Sequence, residues 1–161
     1  MQSALYRKES RKRAALLLSV FGIVLFIYAN SLQSGSESAT ESRGFFDALV
    51  KFFDFLPFFT HTFVRKMAHF AEYAALGAYV AAYMRTYQGS EKKHVFLALM
   101  LCTLVAVSDE LLQAFVPMRH ASVWDVVIDV LGSACGIAFV TLLAVAILRS
   151  AVPQRKECSG K

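Results

Sequence analysis

The sequence predicts an all-α membrane protein: a four-transmembrane-helix bundle with an amphipathic interfacial helix on the outer side between helices 1 and 2. Three observations carry this. The 161 residues are 57% hydrophobic and only 18% charged, and the apolar residues are gathered into long runs. A bilayer is crossed by about 20 predominantly apolar residues, and the chain holds runs of that length. Its basic residues sit at the ends of the runs, where topology signals sit. The length suits one compact bundle without a sizeable soluble domain.

A net charge of +5 would also suit a nucleic-acid partner, but the placement of the charges at helix ends and tails argues against one. Cys102 and Cys135 lie inside predicted membrane helices and Cys158 in the tail. They offer no disulfide framework and no metal spacing, so the first two read as small buried residues.

Residues 1–13 form a basic arm with Arg7, Lys8, Arg11, Lys12 and Arg13. Residues 14–32 are almost continuously apolar. A basic stretch before an apolar one also describes a signal peptide. This run is long for that role and more hydrophobic spans follow, so it is read as an uncleaved first transmembrane helix. The stretch Ser31–Ser42 is rich in serine, glycine and glutamate and reads as a loop, with Ser38 or Thr40 as possible helix caps. It is either a solvated linker or a source of hydroxyls and backbone N–H groups for a site.

Residues 44–59 hold seven of the fourteen phenylalanines. Asp47, Lys51 and Asp54 recur at i, i+4 and i+7 among them, a narrow polar stripe that predicts an amphipathic helix over 44–56, ended by Pro57. Three charges in a short run suit the membrane interface better than its core. Packing as a lid over the bundle fits the same pattern.

The second span is expected at 64–87, followed by the charged turn Gln88–Lys93. The third is expected at 94–116 and is apolar until Ser108-Asp109-Glu110. Pro117–Ser122 is a tight connection. The fourth is expected at 123–149, where Gly132 and Gly136 make a small-xxx-small pair that allows close helix contact. Residues 150–161 are a polar tail. With the N-terminus inside, five of the seventeen Lys and Arg (Arg43, Lys51, Arg65, Lys66 and Arg119) fall outside and the other twelve inside. Both termini are therefore expected in the cytoplasm.

This topology brings three polar sets to one depth. On the second helix Arg65, His69 and Glu72 share a face, with His69 roughly 6 Å and Glu72 roughly 10 Å below Arg65 at about 1.5 Å per residue. Asp109 lies roughly 12 Å below the outer end of the third helix, with Glu110 above it and Gln113 on the same face at i+4. Asp125 and Asp129 are i, i+4 on the fourth, on the face that continues through Gly132 and Gly136. Taken singly, Arg65, Lys66 and Asp125 read as interfacial anchors, and His69 with Glu72 as one internal pair. Together they are five carboxylates with Arg65, Lys66, His69, Arg119 and His120 as counter-charges. Apolar packing would stabilise a bundle better, because desolvated ion pairs seldom stabilise on balance. The set therefore predicts an outward-facing polar pocket.

The chain resembles the VanZ-like family. The resemblance lies in Ser31–Ser42, Val64-Arg65-Lys66-Met67-Ala68-His69-Phe70-Ala71-Glu72-Tyr73, Ser108-Asp109-Glu110-Leu111-Leu112-Gln113-Ala114-Phe115-Val116-Pro117, Arg119 and Asp125-Val126-Val127-Ile128-Asp129-Val130-Leu131-Gly132. It covers most of residues 14–148. Met118 departs from it, since many members carry glycine before the arginine. The resemblance implies a multi-pass protein of the bacterial plasma membrane. The family's name-giving member is associated with low-level resistance to teicoplanin, a lipid-tailed glycopeptide antibiotic, in Gram-positive bacteria. The polar residues it carries over are Arg65, Lys66, His69, Glu72 and Asp109, with Glu110, Gln113, Arg119, Asp125 and Asp129.

Three functions compete. A binding protein would hold the phosphate or carboxylate of an amphipathic envelope molecule on Arg65, Lys66 and Arg119. Its ligand would be a membrane lipid, a lipid-linked cell-wall intermediate or the glycopeptide antibiotic itself. An enzyme acting on such a lipid at the outer leaflet would use His69 and Glu72 as an oriented base, or His69 as a ligand to a divalent metal completed by Asp109, Glu110 and Asp129. A hydroxyl nucleophile would come from Ser108, Ser122 or the Ser31–Ser42 loop, and the sequence singles out none. A transporter is disfavoured, because four helices are few, no internal repeat is visible and the inner half of each helix is apolar.

Overall fold

The apolar run that begins at Ala14 joins a helix already under way. In the computed structural model, which describes residues 2–33, 61–117, 119 and 121–151, helix α1 spans Gln2–Ser31. The basic arm is thus the start of the same helix. Its Ala, Leu, Lys, Arg and Glu are strong helix formers, and no Gly or Pro interrupts it before Gly22. The interfacial helix expected at 44–56, Met118, His120 and the tail from residue 152 lie outside the described residues.

Helix α2 spans His61–Met84, α3 Glu91–Gln113 and α4 Val123–Ala151. The expected boundaries shift where local hydrogen bonds dictate. α2 stops at Met84 because the chain tightens there, with Thr86 N–H donating to Tyr83 O and Tyr87 N–H to Met84 O. α3 starts three residues before the apolar run because Ser90 caps it, its hydroxyl accepting from the Lys93 N–H at 3.4 Å. At the far end of α3, Phe115 and Val116 close i to i+3 turns onto Leu112 and Gln113, and Pro117 follows.

Among the described residues, three of the four helices, α1, α3 and α4, are long and apolar enough to cross a membrane. Their outward faces carry Leu18, Phe21, Phe26, Phe96, Leu104, Phe139 and Leu142, all more than half exposed. A continuous apolar surface of that kind is stable only in lipid, and the chain is a membrane protein. α2 is long enough but too polar to qualify, since Arg65, Lys66, His69 and Glu72 fall in its first half. The bundle resolves the conflict by placing α2 centrally: it packs on α1, α3 and α4, most extensively on α4. Polar side chains on an inner helix can then face protein instead of lipid.

The contact of α2 with α4 is built from glycine. A Cβ on Gly132 or Gly136 would run into the Phe70 or Ala74 carbonyl of α2, and one on Gly77 into the Ser133 carbonyl of α4. The small-xxx-small pair thus does what its spacing predicts. Around it lie Ile27, Tyr73, Leu76, Val80, Ala98, Cys102, Ala106 and Ile137. Cys102 is buried as expected. Cys135 is not: it is exposed on the outward side of α4, because a 100° step per residue turns it away from the Gly132–Gly136 face. Both thiols are free.

The two ends of the bundle differ. At one end Arg13 donates to the Thr86 carbonyl at 2.6 Å and lies 4.8 Å over the Tyr87 ring, and Arg85 pairs with Glu91. The other end, where α1 and α3 finish and α2 and α4 begin, gathers the polar constellation.

Candidate functional site

At that end a cavity of about 150 Å³ opens between α2, α4 and the connection after α3. Arg65, Lys66 and His69 of α2 line it on one side, and Asp125, Ile128 and Asp129 of α4 on the other. Gln113, the last residue of α3, and Arg119 complete it. The helical spacing explains the set: Arg65 and His69 are one turn apart on α2, and Asp125, Ile128 and Asp129 form one stripe on α4.

Three of the ten residues singled out in the sequence do not line this cavity. Asp109 lies wholly buried on α3. One of its carboxylate oxygens, one of Asp129 and a ring nitrogen of His69 all lie within 4.8 Å of one another. Glu72 turns toward α1 and accepts a hydrogen bond from the Asn30 side-chain amide at 2.9 Å. Glu110, buried, accepts from the backbone N–H of Ser122 and so fastens the start of α4 to the end of α3. A carboxylate at a helix N-terminus is favoured by the helix dipole.

The cations are unevenly matched. Lys66 Nζ lies 2.9 Å from Asp125 Oδ1, an ion pair about a third exposed and off the line of a directed hydrogen bond. Arg119 donates through Nη2 to the Asn30 carbonyl at 3.2 Å, whereas its buried Nε has no partner. Burial, and then the charge of nearby Arg65, holds the Arg119 guanidinium below its ordinary range. The surroundings of Arg119 thus disfavour its charge, and an anion in the cavity would relieve it.

Asp109, Glu72 and Glu110 are held by neutral groups. Gln113 donates from Nε2 to Asp109 Oδ2 at 3.3 Å and to Ser31 Oγ at 3.1 Å. The Tyr73 hydroxyl neighbours Asp109 without completing a hydrogen bond to it. Asp109 Oδ1, Asp129 Oδ1, Glu72 Oε2 and Glu110 Oε2 are buried without a hydrogen-bond partner. That is unusual, since buried polar atoms are paired in the large majority of cases.

The sequence profile of the VanZ/LLP1 family matches residues 14–144, most of the chain. The chain belongs to that family. The resemblance seen in the sequence is borne out, and the matched stretch includes every polar residue of the site. No curated protein and no solved structure matches the chain.

Several residues of this VanZ/LLP1 site were not singled out in the sequence. Asn30 contacts both Glu72 and Arg119, and Tyr28 hydrogen-bonds Ser108 at 2.6 Å. Their signal was faint: polar residues at the end of an apolar run read as a boundary. Ser31 belonged to a loop whose hydroxyls were one candidate lining, and it is wholly buried against Gln113. Ile128 gives the cavity its apolar wall.

Proposed function

We propose that this VanZ/LLP1 protein binds the anionic headgroup of an amphipathic envelope molecule at the outer face of the bacterial plasma membrane. Arg119 carries the reading. It lines the cavity with a buried, unpartnered Nε and has Arg65 and Lys66 as neighbours there. A planar guanidinium meets phosphate or carboxylate through two parallel N–H groups. A cavity of about 150 Å³ lies below the roughly 300–1,000 Å³ of pockets that enclose drug-sized ligands, so it suits a headgroup and not a whole glycopeptide. A membrane lipid or lipid-linked cell-wall intermediate would enter headgroup first, its chains staying in the bilayer.

In this reading α2 is a fourth crossing, both termini are cytoplasmic and the polar end faces outward, as the distribution of basic residues favours. A contribution to glycopeptide resistance, which the family name carries, would follow from holding or shielding such a molecule. A second reading makes the protein an enzyme acting on the same headgroup. His69 beside two buried aspartates supports it.

The test is mass spectrometry of lipids retained by gently purified protein, comparing wild type with Arg119→Ala. A discrete anionic lipid class kept by wild type and lost from the variant is the expected result. Bulk lipid alone on folded wild type would remove the headgroup site.

A further inference from the structure

We propose that His69, Asp109 and Asp129 form a binding site for a divalent cation of the transition series, of which Mn²⁺ and Zn²⁺ are the plain candidates. The three residues come from α2, α3 and α4, and one ligand atom of each lies within 4.8 Å of the other two. Metal–ligand distances of about 2.0–2.2 Å put neighbouring donors about 3 Å apart. Small torsional adjustments of three side chains cover that difference.

Grouped carboxylates alone would not make a site. Two further observations point to a cation. Asp109 is wholly buried and Asp129 is 1% exposed, yet Oδ1 of each is unpartnered. Among the described residues no ion pair reaches either carboxylate: Lys66 is engaged with Asp125, and Arg85 with Glu91. Two carboxylates shut away side by side repel each other. One doubly charged ion matches both.

The donor set also says which cation. An imidazole suits Zn²⁺ and its neighbours and the carboxylates suit Mn²⁺, whereas Ca²⁺ and Mg²⁺ are held by oxygen. Gln113 holds Asp109 Oδ2 and is itself anchored on Ser31. Such an outer layer aims a carboxylate and leaves its second oxygen free for a ligand. Three protein ligands leave open positions, and His69 and Asp129 also line the cavity. An ion there would stand where a headgroup oxygen arrives.

The site would supply the enzymatic reading with a Lewis acid, and for that chemistry it rests on that reading. Its ligands rest on geometry alone. Full-length protein in lipid nanodiscs is stripped with chelator, reloaded with Mn²⁺ or Zn²⁺, desalted and assayed for metal per chain. The expected result is one ion per wild-type chain. Asp109→Asn and Asp129→Asn should weaken binding at least tenfold, and Glu9→Gln on the exposed start of α1 should leave it unchanged. Nitrogen modulation from an imidazole in pulsed electron paramagnetic resonance of Mn²⁺-loaded wild type tests His69 without any variant. Folded wild type that retains no ion, or a Mn²⁺ signal without coupled nitrogen, overturns the proposal. The assay counts ions, so an ion bound without turnover would support the site and remove only the enzymatic reading.

Discussion

Gly136 of α4 faces the Ala74 carbonyl of α2 so closely that a methyl group on Gly136 would overlap the carbonyl oxygen. The oxygen is helix backbone and cannot swing aside. This approach brings a carboxylate oxygen of Asp129, two turns earlier on α4, within 4.8 Å of a ring nitrogen of His69. The separation of these two candidate-site side chains is thus set by a residue that has none.

Gly136→Ala should therefore destabilise the bundle. Alanine gains about 0.5–1 kcal/mol of helix stability over glycine, while overpacking costs about 1–3 kcal/mol. The clash wins, because backbone must move. Gly22 has nothing within 4 Å of its missing Cβ, so Gly22→Ala should be neutral or slightly stabilising. Thermal unfolding of both variants in one detergent decides, and equal melting temperatures would contradict the packing argument.

Glu110→Ala should loosen the connection that carries Arg119. The lost bond joins a buried carboxylate to the Ser122 N–H, and hydrogen bonds to charged groups contribute about 1.5–3 kcal/mol. Glu110→Gln keeps an acceptor and should lose less. Hydrogen exchange at residues 121–126 should rise in the order wild type, Gln, Ala.

By withdrawing one ligand of the proposed cation, which would meet a headgroup oxygen, Asp129→Asn should impair lipid retention at least tenfold, and Lys92→Gln, exposed at the other end of the bundle, should not. Binding is read at equal expression by retention of the lipid identified in wild type. Equal retention by both variants would argue that neither Asp129 nor a cation on it takes part in headgroup binding.

Arg119→Ala should weaken binding of an anionic lipid, and Arg119→Lys should restore it only in part, because an ammonium lacks the fork. The same residue makes a prediction for the unliganded protein. Burial holds its titration below the unfolded value. A base depressed in this way destabilises the fold wherever it is charged, which includes neutral pH. Inorganic phosphate should accordingly raise the melting temperature of wild type more than that of Arg119→Ala. An identical rise would show that phosphate acts elsewhere.

Lys66→Gln should cost less than about 1 kcal/mol, since a partly exposed ion pair is screened and its members are costly to order. Chemical denaturation should place it within error of wild type. A larger loss would mean that the Lys66–Asp125 pair is buried more deeply in the bilayer than its exposure of 37% and 30% suggests.

The sequence by itself determined the all-helical architecture and the membrane. Long apolar runs leave the backbone no alternative in lipid, and their composition needs no partner to be read. It also determined which residues are out of place: charges on α2, α3 and α4 are costly enough in an apolar context that their presence marks a candidate site. Tertiary structure decided which of them meet. Glu72 and His69 share a face of α2, yet one turns to Asn30 and the other to the cavity, because α1 and α4 flank that face on two sides. Asp109 and Glu110 are neighbours in the chain, but a 100° step sends one to His69 and Asp129 and the other to the N-terminus of α4. Helical period gives direction around one axis. Distance between axes comes only from packing, and here glycine on α2 and α4 sets it.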